Sequence, residues 1–304
     1  IACGTDKSDN ESTKEEKTSV TITSLDASKN EIELEVPYNP KRIAILDLAS
    51  LDIIDELGVG DRVVGMASTS IDYLEKYSND ASIKNLGTIK EADLEAVMEC
   101  EPDIIFIGGR LSKSYDALSE IAPVVYLATD TNEGLVNSVS KNAKTIASIF
   151  GMEDKVDSLM SDFGARIDAI KKISSGKTAL VGMTTSGSFN LLGNDGRCSL
   201  IGVEAGFNNL TAAGSTSTHG NESSFETVVQ QNPDYIFVMD RDSAISTAGA
   251  KTAKEIVENE LVKTTDAYKN NHIIYLEHSN VWYTAEGGIQ ALDIMLTDLE
   301  KGLK

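Results

Sequence analysis

Arg110 and Arg241 close two stretches that align without a gap: LEAVMECEPDIIFIGGR (94–110) and FETVVQQNPDYIFVMDR (225–241). Seven of the 17 aligned positions are identical, and the register between them is constant at 131 residues. Each stretch reads as a helix, a Pro-Asp turn, a buried strand and the loop at that strand's carboxyl end. Ligands of open parallel sheets bind beyond the carboxyl ends of the strands. The two arginines are therefore expected to face each other across a cleft. A third, Arg197, follows the Gly- and Asp-rich turn of LLGNDGRCSL, and taken alone it reads equally well as a solvated surface arginine. Three guanidinium forks meeting in one cleft suit a compact, highly charged anion, because their donors are fixed in direction.

Other side chains add narrower options. NVWYTAEGG reads as a loop that places Trp282 and Tyr283 just ahead of a final helix beginning near Glu286. Trp282 is either a packing residue or part of the cleft wall. A cleft tyrosine is a hard oxygen donor suited to ferric iron, whose charge lowers the phenol pKa. Of the three histidines, His219 sits in GSTSTHGNES, a stretch too rich in Gly, Ser and Thr for a strand or helix. His272 opens a strand, and His278 follows it in a loop. No H-E-x-x-H, C-x-x-C or clustered His/Asp set supports an all-protein metal site. Glu95 and Glu226 recur near the starts of the two duplicated helices, where the helix dipole alone explains a carboxylate.

These residues need a scaffold, and the hydrophobic pattern describes one. SVTITSL and NEIELEV alternate around DASKN as a β-hairpin. RIAILD, RVVGMAS, DIIFIG and VVYLA are short apolar strands separated by helical stretches, as are KTALVGM, YIFVM and HIIYLE later in the chain. That alternation implies an α/β fold with parallel sheets. Between the two sets, residues 132–173 carry apolar residues at helical spacing, as one long helix or two broken near Gly151. The expected organisation is a tether over 1–19, an N-terminal lobe over 20–131, an interlobe helix over 132–173 and a C-terminal lobe over 174–304. A helix between lobes favours a small hinge motion over wide closure.

The 304-residue chain has a formal net charge of −21, which disfavours nucleic acid and anionic membrane surfaces as partners. No window approaches 18 uninterrupted apolar residues. Cys3 precedes a run of Ser, Thr, Asp, Glu, Lys and Gly that cannot form a core. A lone cysteine ahead of such a run resembles the acceptor of a bacterial lipoprotein, or is an ordinary terminal cysteine. Cys100 and Cys198 can pair only if the fold brings them together.

NPKRIAILD after a hairpin, the two P-D-x-I-F strands, the long intervening helix, THGNES, MDR and WYTAEGG together resemble the siderophore-binding lipoproteins of bacterial ABC transporters. Catecholate binders of the petrobactin type are the nearest in character. The resemblance covers nearly the whole chain after the tether. It implies two lobes with Rossmann-like parallel sheets, joined by a backbone helix and separated by a ligand cleft. Arg110, Arg197 and Arg241 would line that cleft, and His219 and Tyr283 would complete iron coordination when the siderophore supplies four oxygens. Glu95 and Glu226 would dock on an ABC permease dimer, and Cys3 would carry the lipid.

The implied protein is a monomeric extracytoplasmic receptor with no cofactor of its own. It would carry ferric iron as a siderophore complex and touch the membrane only through its anchor. A haem, cobalamin or hydroxamate receptor of the same fold is the alternative, although haem prefers a more apolar cleft and hydroxamates carry less negative charge. A two-lobed metal-dependent enzyme is a second alternative. Against it, the sequence has no Gly-rich phosphate loop, cluster-binding cysteine set or nucleophile–base pair.

Overall fold

The computed structural model describes residues 16–211 and 225–304, together with the backbone of 221–222. The chain opens with the expected antiparallel hairpin of β1 (Ser19–Leu25) and β2 (Glu31–Pro37). It then builds a five-stranded sheet from β3 (Ile43–Ile45), β4 (Val63–Met66), β5 (Lys84–Asn85), β6 (Ile104–Ile107) and β7 (Val124–Tyr126), in the order β5-β4-β3-β6-β7. All pairings in this sheet are parallel. Helices α1 (Leu48–Glu56) and α2 (Leu94–Glu99) follow β3 and precede β6. The hairpin is tied to the sheet by Ser24, whose hydroxyl accepts from Tyr126 N at 2.9 Å and donates to Tyr126 O at 3.2 Å.

Strands buried on both faces read as continuous apolar runs, and alternation then sorts their side chains. Ile43, Ile45, Ile104 and Phe106 point into a central core shared by both lobes, whereas Ala44, Leu46, Ile105 and Ile107 fill an outer one.

The stretch between the sheets is helical but not one helix. It divides into α3 (Leu135–Ile149), α4 (Val156–Met160) and α5 (Phe163–Ser174). Gly151 adopts φ +66°, a left-handed conformation that ends the first segment. The expected long backbone helix is thus a chain of three segments. Val139, Ala143, Ile146, Val156, Ile167 and Ile170 all join the central core.

The second sheet contains β8 (Thr178–Thr185), β9 (Ser188–Leu191), β10 (Asn208–Asn209), β11 (Asn221–Glu222), β12 (Tyr235–Asp240) and β13 (Ile273–Tyr275). Its order is β11-β9-β8-β12-β13, with β10 also paired to β8. This sheet is mixed, because β9 runs antiparallel to β8 and to β11. Helix α6 (Phe225–Gln231) precedes β12, and α7 (Ser279–Thr284) and α8 (Ile289–Gly302) end the chain.

The duplicated stretch has a duplicated job. Asp103 Oδ2 accepts Lys41 N at 2.9 Å and Arg42 N at 3.0 Å, at the entry to β3. Asp234 Oδ2 accepts Thr178 N at 2.9 Å and Thr178 Oγ1 at 3.1 Å, at the entry to β8. The residues two before these aspartates, Glu101 and Asn232, both turn left-handed, with φ 48° and 41°. Phe237 meets the central core as Phe106 does, and Ile236 faces outward like Ile105.

Among the described residues no helix is long and apolar enough to cross a membrane. Cys100 and Cys198 are buried free thiols in separate cores, so the fold does not pair them. Cys3 lies outside the described residues.

Candidate ligand-binding cleft

Arg110 follows β6 by way of Gly108 and Gly109, and Arg241 directly follows β12. Both therefore project from carboxyl strand ends, one from each sheet. Gly108 is required where the backbone passes the carboxylate of Asp47, since a Cβ there would stand 2.9 Å from Asp47 Oδ1.

The arginines converge on Tyr283. Arg241 Nε donates to the Tyr283 hydroxyl at 2.9 Å, and Arg241 Nη1 donates to Thr185 Oγ1 at 3.1 Å. Arg197 lays its guanidinium over the phenol ring, 4.1 Å from the centroid, and its Nε donates to Tyr283 O at 3.0 Å. Arg110 reaches the same phenol by hydrogen bonding and lies close enough to Arg197 to oppose its charge. Arg110 Nη1 is buried and has no hydrogen-bond partner among the described residues. A buried donor left open in this way is costly unless something arrives to accept from it.

Electrostatics follow from this crowding. Burial alone would raise the Tyr283 pKa, but the Arg241 hydrogen bond, the Arg197 charge and the Arg110 hydrogen bond together hold it below the usual 10. The Arg197 guanidinium is pushed down from its usual value, first by burial and also by Arg110, while Tyr283 and Glu286 pull it back up. The site therefore favours a phenolate and an incoming anion at once.

Beside the cluster lies a cavity of about 280 Å³ with walls from both lobes. Asp47, Gly108 and Gly109 line it from the first lobe, and Arg197, Tyr283 and Glu286 from the second. Glu286 lies in WYTAEGG, where no local pattern marks it as a cleft residue. Its carboxyl accepts Cys198 N at 3.2 Å. Burial raises its pKa to about 7 against the lowering effects of that bond and of Arg197.

NVWYT is helix rather than loop, and this separates its two aromatic residues. Consecutive helical residues point about 100° apart. Tyr283 faces the cleft, whereas Trp282 is 0% exposed in the central core and donates its indole N–H to Asp298 Oδ2 at 2.9 Å. Trp282 is therefore a packing residue, not a cleft wall. His278 also pairs with Asp298, Nδ1 to Oδ1, at 2.7 Å. Glu95 and Glu226 are exposed in the first turns of α2 and α6. His219 lies outside the described residues.

The floor of the site is held from the opposite lobe. Asp52 of α1 accepts Ile289 N, Gln290 N and Ala291 N at 3.1, 2.9 and 3.0 Å, capping α8. A Cβ at Gly288 would collide with the Asp52 carboxylate, and one at Gly287 would press on Ala49 and Thr129. The Gly-Gly pair lets the segment after Tyr283 lie flat on the first lobe.

The profile of the family described as "Periplasmic binding protein" matches residues 43–279. The petrobactin-binding protein YclQ of Bacillus subtilis is 36% identical over 100% of this chain and 94% of its own sequence. Its crystal structure covers 95% of this chain and 99% of that one, with TM-score 0.86. The catecholate-siderophore binding protein VctP of Vibrio cholerae is 30% identical, covers 93% of this chain and 100% of its own, and superposes with TM-score 0.83. The ferric-anguibactin-binding protein FatB of Vibrio anguillarum is 27% identical over 88% of this chain and 84% of its own. With both sheets, the intervening helices and the cleft arginines inside the matched span, the chain belongs to the periplasmic binding protein family.

Proposed function

We propose that the protein is an extracytoplasmic receptor that binds a ferric catecholate siderophore and passes it to an ABC permease. The observation that carries this reading is the convergence of Arg110, Arg197 and Arg241, from both lobes, on one acidified phenol. The relatives named for petrobactin and catecholate siderophores support the same class of cargo.

The chemistry is consistent with that cargo. Ferric iron held by two deprotonated catechols carries one negative charge and keeps two coordination positions open. Tyr283 supplies a hard oxygen donor to one of them, and His219 is assigned to the other from the THG motif. With three catechols the complex carries three negative charges and is full, and the arginines alone hold it. A chain of net charge −21 gains little from long-range steering, which salt screens beyond about 8 Å. Short guanidinium contacts in a partly dry cleft therefore dominate the affinity.

The remaining assignments complete the receptor. Exposed Glu95 and Glu226 present one carboxylate per lobe for docking on the permease dimer. Cys3 carries the lipid, the stretch ahead of β1 is the tether, and the chain acts as a monomer that binds its cargo without transforming it.

Titration of the purified protein with a panel of ferric siderophores tests the reading. Trp282 is the one tryptophan of the chain, and its emission reports binding by energy transfer to the iron charge-transfer band. Ferric bis- or tris-catecholates are expected to bind at micromolar concentration or tighter. Equal or tighter binding of ferric hydroxamates or haem would sink the assignment.

A further inference from the structure

Glu286 shares its cavity with Arg197 and sits three residues after Tyr283, on the segment that Gly287 and Gly288 press against the first lobe. The Cys198 N–H pins its carboxyl beside the residue that follows Arg197. We propose that Glu286 is a specificity-determining residue of the cleft, a counter-charge for Arg197 in the empty receptor that takes up a proton when an anionic ferric complex enters. This inference rests on the cargo reading above.

The ionisable groups around Glu286 set the direction of the effect. Arg197 favours its charged form; Glu204 disfavours it, and the buried Cys198 thiol stays neutral. Asp47 faces the same cavity from the start of α1, Tyr283 faces it from α7, and Arg110 is close enough to Arg197 to oppose its charge. Burial already places Glu286 at about 7, so the empty site is divided between its two forms at neutral pH. An arriving anion adds negative charge to the cavity and engages Arg197, the group that stabilises the carboxylate. Both changes favour the protonated form, so binding and proton uptake are linked. A neutral or cationic ligand gains nothing from this exchange, which makes the residue a selector for anions.

Calorimetric titration with a ferric hexadentate tris-catecholate, in buffers of differing ionisation enthalpy, counts the protons. The wild-type protein is expected to take up about half a proton per complex at pH 7 and to bind about tenfold tighter at pH 6 than at pH 8. In Glu286→Gln the proton uptake disappears and the affinity becomes flat across that range. A wild-type protein that binds with no proton uptake, or a Glu286→Gln variant with the wild-type pH slope, overturns the proposal. If the Gln variant does not fold, the wild-type proton count decides alone. Failure of the wild-type protein to bind the complex at any pH would instead overturn the cargo reading.

Discussion

Arg241 donates its Nε to the hydroxyl of Tyr283 across 2.9 Å, and this bond is the strongest of the influences that keep a buried phenol acidic. Without its cations Tyr283 would titrate above 10, because burial is the largest effect on it. Ultraviolet difference titration is expected to show Tyr283 ionising below 10. That transition should vanish in Tyr283→Phe and move to higher pH in Arg241→Ala. An unchanged titration in either variant would remove Tyr283 from the set of phenolate donors.

Arg110 and Arg241 occupy equivalent positions in the duplicated unit but spend their donors differently. Both reach Tyr283, but Arg241 also bonds Thr185, whereas Arg110 Nη1 is buried without a partner among the described residues, a cost that offsets the bond Arg110 makes to the phenol. Arg110→Ala is therefore expected to change stability by no more than about 0.5 kcal/mol while weakening ferric catecholate binding by about 2–5 kcal/mol. Arg241→Ala should lose affinity and also about 1 kcal/mol of stability. Thermal unfolding beside ligand titration separates the two quantities.

Asp103 and Asp234 predict a matched pair of structural defects. Each carboxylate fastens the entry of its lobe's first central strand with two hydrogen bonds. Bonds to a charged acceptor contribute about 1.5–3 kcal/mol. Asp103→Ala and Asp234→Ala are each expected to cost about 2 kcal/mol in denaturant unfolding, with ferric catecholate affinity unchanged. A loss of affinity without a loss of stability would place these residues in the site instead.

How much of this could be read from the sequence depended on range. The hairpin, four of the five strands of the first sheet and the equivalence of Arg110 with Arg241 rest on local periodicity, and the structure places them as expected, whereas the two-residue edge strand β5 left no such signal. Trp282 stayed open between packing and the cleft wall because a six-residue helix is too short to leave a periodic signal, so the rotation of about 100° between neighbours 282 and 283 was hidden. β9 was missed because SFNL is short and only half apolar in pattern. The roles of Asp52 and Glu286 depend on partners far away in the chain and on burial, neither of which local spacing encodes. Their one local trace was the Gly-Gly pair, a sign that another backbone or side chain comes close.

Asp52 carries the clearest pH dependence of the fold. Its side chain is completely buried and accepts three backbone N–H groups of α8 and the Tyr73 hydroxyl at 3.1 Å. Burial nonetheless outweighs those bonds and raises its pKa from 3.8 to about 7. The folded state thus binds more protons than the unfolded state between those values, and stability falls as pH rises through that window. The full effect is on the order of 4 kcal/mol. Asp52→Asn keeps one acceptor but cannot ionise, and it turns an amide donor toward the helix N–H groups, so it should be less stable than the wild-type protein at pH 5. The stability gap between the two should then shrink as pH rises from 5 to 8, because only the wild-type carboxyl must ionise in the core. Melting temperatures measured at pH 5, 6, 7 and 8 test this, and a constant gap would mean that Asp52 does not titrate in the folded protein over that range.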